Sequence, residues 1–535
     1  MVNRLNKFVS FYEKSKNRDP FKVFFRGIER EGLRVSSNGI LSQTPHPSIL
    51  GSALTHPNVT TDFSESLLEL VTPKFKTLEG CNQFLNDTHH FVYKNLEDEL
   101  IWCGSMPCIV EGEHSIPVAY YGESNIGKMK RIYRLGLKNR YGSLMEIIAG
   151  IHYNFSFSND FWAFFREYCL FLGEKPEECQ KSFISSSYFC LIRNVHRFGW
   201  MIPFFFGASP ALCGSFLRNF NEVPSFLGPF DKKGTYFSPL STSLRLSKIG
   251  YKNLNQDQMK ISYNDVTSYV GGLQRAINTS YGPWENIGIK DKDGDYKQLN
   301  TNLLQIENEY YGSIRPKRIV PSGSSPSIGL KKEGVEYIEL RSLDINPFSP
   351  VGISEDQMKF LDIFLVYCLI KESPHHSPAG NRICEENFSK VVLSGQDRNL
   401  FLRLDEHTQR PMSQILNDLF SEMNIVAELL DHSYSSSRSY QDVLKSLKKI
   451  IDGEDLSLSE RVLHEMVSKK MSYFELIMDA SIKNKSFFLE RDLSREKSLY
   501  FMNESEKSKI EHLKIERGDN LSYVDFVKKY LNQTP

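Results

Sequence analysis

The chain has 535 residues, enough for more than one domain and for a sizeable core. Lys plus Arg and Asp plus Glu number 65 each, so no net field favours nucleic acid or an anionic membrane, and a charged partner must be held locally. Nine cysteines without CxxC or zinc-type spacing, and a start lacking a signal-peptide pattern, point to a reducing cytoplasm.

Residues 1–20 read as a polar helix leading into FFRGIEREGLRV, residues 24–35, a strand that carries five charges among its apolar positions. TTDFSESLLELVTP (60–73) reads as a further strand region and 77–99 as a helix, with Leu, Phe and Val at helical spacing. The Gly, Asn and Asp punctuation of 120–142 and 282–298 predicts surface loops. AGIHYNFSF (149–157), TNLLQIENEYY (301–311) and GVEYIELRSLDIN (334–346) are predicted strands. From about residue 354 strand signals fade and apolar residues recur at helical intervals. With no flexible linker near 350, the expected organisation is a catalytic region, 1–353, and a mostly helical region, 354–535, packed on it; the expected class is α+β. The most apolar runs, FGWMIPFFFGASPALCGSFL and FLDIFLVYCLI, are broken by Pro and Gly or too short for a bilayer, so no membrane segment is expected.

In a strand, side chains alternate faces, so Glu29 and Glu31 project from one side about 6.6 Å apart along the chain. The same rule puts His152, Asn154 and Ser156 on one face, Gln305, Glu307 and Glu309 on another, and Glu339 with Arg341 on a third. Glu65 and Glu69 fall together, with Asp62 just before them. Taken singly, each has an ordinary explanation: an acid pair is usually a solvated, salt-bridged face, a lone His a hydrogen-bonded core residue, and Arg341 a sheet partner of Glu339. The coincidence over five segments favours a site. Converging carboxylates raise one another's pKa and call for a cation; an oxygen-rich, cysteine-poor set with one His suits Mg²⁺ or Mn²⁺. Arg245, Arg315, Arg318 and Arg341 offer guanidinium forks for phosphate or carboxylate.

At these residues the sequence resembles the glutamate-cysteine ligase (gamma-glutamylcysteine synthetase) family of proteobacterial type. The resemblance is carried by GIEREGLRV, LGSALTHPNVTTDFSESLLELVTP, YRLGLKNRYGSLMEIIAGIHYNFS, RNVHRFGWMIPFFFGASPALC, STSLRLSKIGY, LLQIENEYYGSIRPKR and EYIELRSLDINPFSPVGI, and covers the first 350 residues nearly end to end. It implies a fold similar to the catalytic domain of glutamine synthetase, in which a curved antiparallel sheet turns a polar face to nucleotide, metal and glutamate. It also implies joining of the L-glutamate γ-carboxylate to the L-cysteine amino group, with ATP and Mg²⁺ or Mn²⁺ as cofactors and the chain acting as a monomer.

Residue by residue, the resemblance places Glu29, Glu31, Asp62, Glu69, His152 and Glu339 at metal positions and gives Arg245 and Arg341 the catalytic role at the transferring phosphoryl group. Tyr133, Arg134, Ile148 and Tyr251 fall to substrate binding; Glu307 and Glu309 also match, touching metal, nucleotide or only their neighbours, and together with the guanidinium forks of Arg315 and Arg318 they are assigned to the cofactor. Leu240 stands where an aromatic residue is expected near Arg245. The competing readings are a ligase of the same fold with another amine acceptor, a metal-dependent hydrolase or nuclease built on the same acids, and a silent binding protein.

Overall fold

The computed structural model describes residues 4–15, 18–107, 109–218, 220–250, 259–321, 323–434 and 438–533. Its central strand is β1 (Phe24–Val35), which pairs antiparallel with β3 (Leu67–Val71) on one side and β5 (Ile151–Phe157) on the other. With β2 (Val59–Thr61), β9 (Ile314–Lys317) and β10 (Tyr337–Leu343) these form an antiparallel sheet in the order β2-β3-β1-β5-β10-β9, and β4 (Leu100–Ile101) pairs with the end of β1. A second sheet joins β6 (Ala211–Cys213), β7 (Gly228–Pro229) and β8 (Thr235–Phe237).

Between the strands run α1 (Arg4–Lys14), α2 (Leu78–Asn95), α3 (Asn125–Tyr141), α4 (Asn159–Phe171), α5 (Gln180–Phe198), α6 (Met201–Phe206), α7 (Val266–Asn278), α8 (Gly282–Ile287) and α9 (Pro326–Glu333). After residue 354 the chain forms α10 (Glu355–Ile370), α11 (Pro378–Ser394), a short hairpin of β11 (Phe401–Arg403) and β12 (Gln409–Pro411), and α12 (Met412–Ser433). Then follow α13 (Tyr440–Asp452), α14 (Leu458–Ser468), α15 (Tyr473–Leu489), α16 (Arg495–Gly518) and α17 (Tyr523–Leu531). The architecture is α+β.

Register fixes which side chains meet. Glu31 lies opposite Glu69, Glu29 opposite His152, and Glu339 opposite both Asn154 and Arg315, so the period of two gathers these groups on one face of the sheet. The other face rests on α10, which opens with a capping box between Ser354 and Gln357 and is buried at every position from Gln357 to Ile370. Beneath β1 and β5 the Arg26 guanidinium grips Asp362 of α10, with Nη2 to Oδ2 at 2.6 Å. Tyr153 and Tyr440 donate to the same carboxylate at 2.8 and 3.1 Å, so a fully buried ion pair has its remaining lone pairs satisfied. α10 is too short to span a bilayer, and among the described residues no helix is long and apolar enough to cross a membrane.

Three expectations are corrected. Residues 120–142 are chiefly the helix α3, not a loop; its N-cap is Ser124, whose hydroxyl accepts from Gly127 N–H. The glycines that suggested turns serve close approach: a Cβ on Gly127 would come within 2.4 Å of the Tyr121 carbonyl oxygen, and one on Gly136 within 2.0 Å of Gln305 Oε1. Residues 301–311 are not a strand; a single 3₁₀ turn covers Glu307–Glu309. Side chains take the backbone partners a ladder would have used: Glu309 Oε2 accepts from Gln305 N–H at 2.8 Å, and Asn300 Nδ2 donates to the Gln305 carbonyl at 2.9 Å. The loop predicted over 282–298 begins as the short helix α8.

Candidate active site

The acid face is built outward from His152. Its Nδ1 lies 3.0 Å from Glu29 Oε2 and 3.9 Å from Glu339 Oε1, and its Nε2 lies 3.4 Å from Glu31 Oε1. Glu29, His152 and Glu339 each present a ligand atom within 4.8 Å of the others. Neighbours orient the acids: Asn154 Nδ2 donates to Glu29 Oε1 at 2.9 Å, and Gly150 N–H donates to Glu31 Oε2 at 2.6 Å. Glu69 stands across β1 from this group, opposite Glu31.

Charge is distributed unevenly over this face. At the β9–β10 side Lys317 Nζ meets Glu339 Oε1 at 3.2 Å and Arg341 Nη1 meets Glu339 Oε2 at 3.3 Å. Burial opposes ionisation of Glu339, but Lys317, Arg341, His152 and Arg315 outweigh it and hold that carboxyl well below the usual 4.5. At the β3 side the balance reverses. Burial, then Glu29, Asp62, Glu31 and Glu339, push Glu69 well above its ordinary value. Burial raises Glu31 as well, against the pull of His152. Burial and Glu339 also work against Glu29, yet its hydrogen bond to His152 leaves it lowered.

Arg245 sits in a 3₁₀ turn, Leu244–Leu246, capped by the Ser243 hydroxyl. Its Nη2 donates to the Arg341 carbonyl at 3.0 Å, while its buried Nε and Nη1 have no hydrogen-bond partner among the described residues. Asp344 holds this corner: it accepts from Ala208 N–H at 2.9 Å, Ser209 at 2.6 Å and Ser243 at 2.9 Å, and lies 3.8 Å from Arg245 Nη1. The guanidinium packs flat on Gly150, where a Cβ would fall 2.1 Å from Nη2. Two buried guanidinium donors without acceptors among the described residues, close enough to Glu31 to pull its carboxyl down, are a group suited to hold an anion.

The structure brings Glu29, Glu31, Glu69, His152, Glu339, Arg245 and Arg341 to this face, with Asp62 at its edge, where Arg134 Nη2 lies 3.7 Å from Asp62 Oδ1. Tyr133 shares α3 with Arg134, and Ile148 is buried just before β5. Tyr251 lies outside the described residues.

Other predicted residues are engaged elsewhere. Glu65 accepts from His46 N–H at 2.8 Å and Tyr120 N–H at 2.6 Å, so the pairing with Glu69 expected from sequence is broken by the turn between β2 and β3. Both Glu307 and Glu309 are engaged by protein donors. Glu307 takes Ser327 N–H at 2.8 Å and the Ser325 and Ser327 hydroxyls, closing the N-terminus of α9. Glu309 takes Arg140 Nη1 at 2.8 Å and the Tyr141 hydroxyl at 2.7 Å. Arg318 donates to the Gly334 carbonyl at 2.5 Å, away from the acid face. Arg315 donates to the Asn308 and Tyr310 carbonyls, but stays near enough to Glu339 to help lower it.

Sequence reasoning passed over Lys317, Gly150 and Asp344. Pro316 inside IRPK disguises β9 as a non-strand; once the strand is seen, Lys317 falls on the Arg315 face by alternation. Gly150 and Asp344 flank strands and act through close approach and buried hydrogen bonds, for which local spacing gives no signal.

The sequence model of the family described as Glutamate-cysteine ligase matches residues 9–391. A glutamate-cysteine ligase of Baumannia cicadellinicola is 43% identical over 512 residues, covering 96% of each chain. One of Serratia proteamaculans is 42% identical over 508 residues, covering 94% of this chain and 95% of the other. Among solved structures, a Francisella tularensis glutamate-cysteine ligase in complex with AMP superposes with a TM-score of 0.88 at 32% identity, covering 95% of this chain and 97% of that one. A bifunctional glutathione synthetase from Pasteurella multocida shares the fold at a TM-score of 0.69 and 21% identity, covering 97% of this chain and 60% of that one. With its acid face and arginines arranged as described, the chain belongs to the glutamate-cysteine ligase family.

Proposed function

We propose that the protein is an ATP-dependent ligase that joins the γ-carboxylate of L-glutamate to the amino group of L-cysteine, the first step of glutathione synthesis. The observation that carries this reading is the convergence of Glu29, His152 and Glu339 within 4.8 Å, near Arg245, whose Nε and Nη1 have no hydrogen-bond acceptor among the described residues, in a chain 43% identical over nearly its whole length to a glutamate-cysteine ligase.

A carboxylate is a poor acyl donor, because displacement would expel oxide. Transfer of the γ-phosphoryl group of ATP to the glutamate γ-oxygen gives an acyl phosphate; the cysteine nitrogen, having lost its ammonium proton, attacks the carbonyl carbon, and phosphate leaves with the C–O bonding pair. Arg245 and Arg341 hold the transferring group, presenting fixed guanidinium donors to charge that spreads over its equatorial oxygens. Lys317 lies at the same end, where it supports the ionised Glu339.

The donor set fits a hard divalent cation: carboxylates with one imidazole, and a Glu69 that burial and four neighbouring acids push well above its ordinary value for want of positive charge. Glu29, Glu31, His152 and Glu339 would hold such ions, with Asp62 and Glu69 completing the set. Mg²⁺, or Mn²⁺, supplies neutralisation of the phosphate charge that otherwise repels the incoming carboxylate. In the same reading the enzyme works as a monomer in the cytoplasm, and its charged ligands are small molecules.

Purified protein given ATP, Mg²⁺, glutamate and cysteine is expected to release phosphate and γ-glutamylcysteine only when both amino acids are present. Activity is expected to fall to background with EDTA and return with Mg²⁺. Phosphate release uncoupled from dipeptide, or turnover without ATP, would replace the ligase by a hydrolase.

A further inference from the structure

Helix α3 crosses the β2–β3 edge of the acid face with Lys130, Tyr133 and Arg134 at i, i+3 and i+4, so all three share one side of it. Its two cations stand over the ring of Tyr121, Lys130 Nζ at 5.1 Å and the Arg134 guanidinium carbon at 4.7 Å from the centroid. Their circumstances differ. Arg134 is tied down: Nε donates to the Asp62 carbonyl at 2.6 Å, Nη1 to the Lys130 carbonyl at 3.1 Å, and Nη2 lies 3.7 Å from Asp62 Oδ1. The half-buried Lys130 ammonium, with three donors to place, has no hydrogen-bond acceptor among the described residues. Its carboxylate neighbour is Glu69, an acid that burial and four other carboxylates dispose to keep its proton.

The opposite end of the face holds Lys317, Arg341, Arg315 and Arg245, a density of cations suited to a polyphosphate. Lys130 is at the other end, and a single cation with vacant donors suits a single carboxylate. Each amino-acid substrate of the ligase carries an α-carboxylate that takes no part in bond formation and must be neutralised where it enters a partly buried site.

We propose that Lys130 is a substrate-binding residue whose ammonium takes the α-carboxylate of an amino-acid substrate. The inference rests on the ligase reading above and adds a residue that the sequence analysis did not single out. Burial and the nearby Arg134 bring the free ammonium down to about 8, against Glu69, and the charge of an arriving carboxylate would offset them by favouring the ammonium form.

The test is steady-state kinetics of Lys130→Met and Lys130→Arg, with cysteine and with cysteamine, which lacks the carboxylate, as acceptors. In Lys130→Met the KM of one amino acid is expected to rise about tenfold or more, the loss of a charge-assisted hydrogen bond, while kcat and the KM for ATP stay within about threefold. Lys130→Arg should recover most of the difference. If the ligand is cysteine, the preference for cysteine over cysteamine collapses in Lys130→Met. If it is glutamate, that preference is kept and the glutamate KM rises. A Lys130→Met enzyme with both amino-acid KM values unchanged, with a raised KM for ATP, or with a loss in kcat alone overturns the proposal. Failure of the ligase reading would show separately, as a wild-type protein that makes no dipeptide.

Discussion

The two faces of the same strands hold their charges in opposite ways. Under β1 and β5, Arg26 and Asp362 form a closed pair whose carboxylate also accepts from Tyr153 and Tyr440, so that this pair is complete. On the other face of those strands Glu29, Glu31, His152, Glu69 and Glu339 crowd together with too little positive charge on the β3 side, and Arg245 carries two buried donors without hydrogen-bond acceptors among the described residues. A buried pair that is complete belongs to the fold. A buried cluster that is incomplete points to something the fold is built to receive, and its cost to the empty protein is the counterpart of its use.

The sharpest way to separate the faces is to break the closed one. Asp362→Ala leaves Arg26 uncompensated at zero exposure and is expected to destabilise the protein by about 3–5 kcal/mol, seen as a lowered denaturant midpoint. Activity per folded molecule should survive. The double change Arg26→Met with Asp362→Leu should recover much of the stability; if it does not, the pair does more than satisfy itself.

On the open face Glu339→Gln should do the reverse. It should reduce kcat/KM on the order of 10²–10³-fold with a melting temperature close to wild type. Equal losses of stability in Glu339→Gln and Asp362→Ala would erase the distinction between the faces.

Gly150→Ala should come next, at roughly 10²-fold in kcat, because the added methyl would meet Arg245 Nη2 at 2.1 Å and push the guanidinium off its seat. A fall in cysteine affinity alone would place Arg245 elsewhere in the reaction.

The smallest effect sharpens the electrostatics. Glu69 binds its proton more tightly folded than unfolded, so in metal-free protein its contribution is full below the ordinary value of 4.5 and is lost as pH rises toward the folded value. Glu69→Gln is therefore expected to make the metal-free protein more stable at pH 8 by about 1 kcal/mol and to flatten that pH dependence, measured by denaturant titration in EDTA. Saturating Mn²⁺ should stabilise wild type more than the variant.

Most of the acid face was legible in the sequence because strand alternation is a local rule: Glu29 with Glu31, His152 with Asn154, and Glu339 with Arg341 follow from spacing of two. The rule failed where local side-chain bonding competed with the ladder. Glu307 and Glu309 alternate as a strand would, yet one closes the N-terminus of α9 and the other pairs with Arg140. It failed again where composition imitated a loop, since Gly127 and Gly136 serve helix packing in α3. Lys130 and Asp344 were invisible for another reason: each matters because of what it does or does not touch, and only the assembled fold supplies that. The tail after residue 354 read correctly as helical, but that α10 would carry the counter-ion of Arg26 could not be inferred from either segment alone.

That counter-ion arrives late. Asp362 follows Arg26 by 336 positions, which at a synthesis rate of about 5–20 residues per second is a delay of roughly 17–67 s on the ribosome. Through that interval the nascent β1 cannot bury its arginine at acceptable cost, so the central strand should stay undocked until α10 emerges. A ribosome stalled shortly before that helix is cleared from the exit tunnel would carry a chain with β1 open to protease and to chaperones, whereas one stalled beyond it would carry the finished sheet.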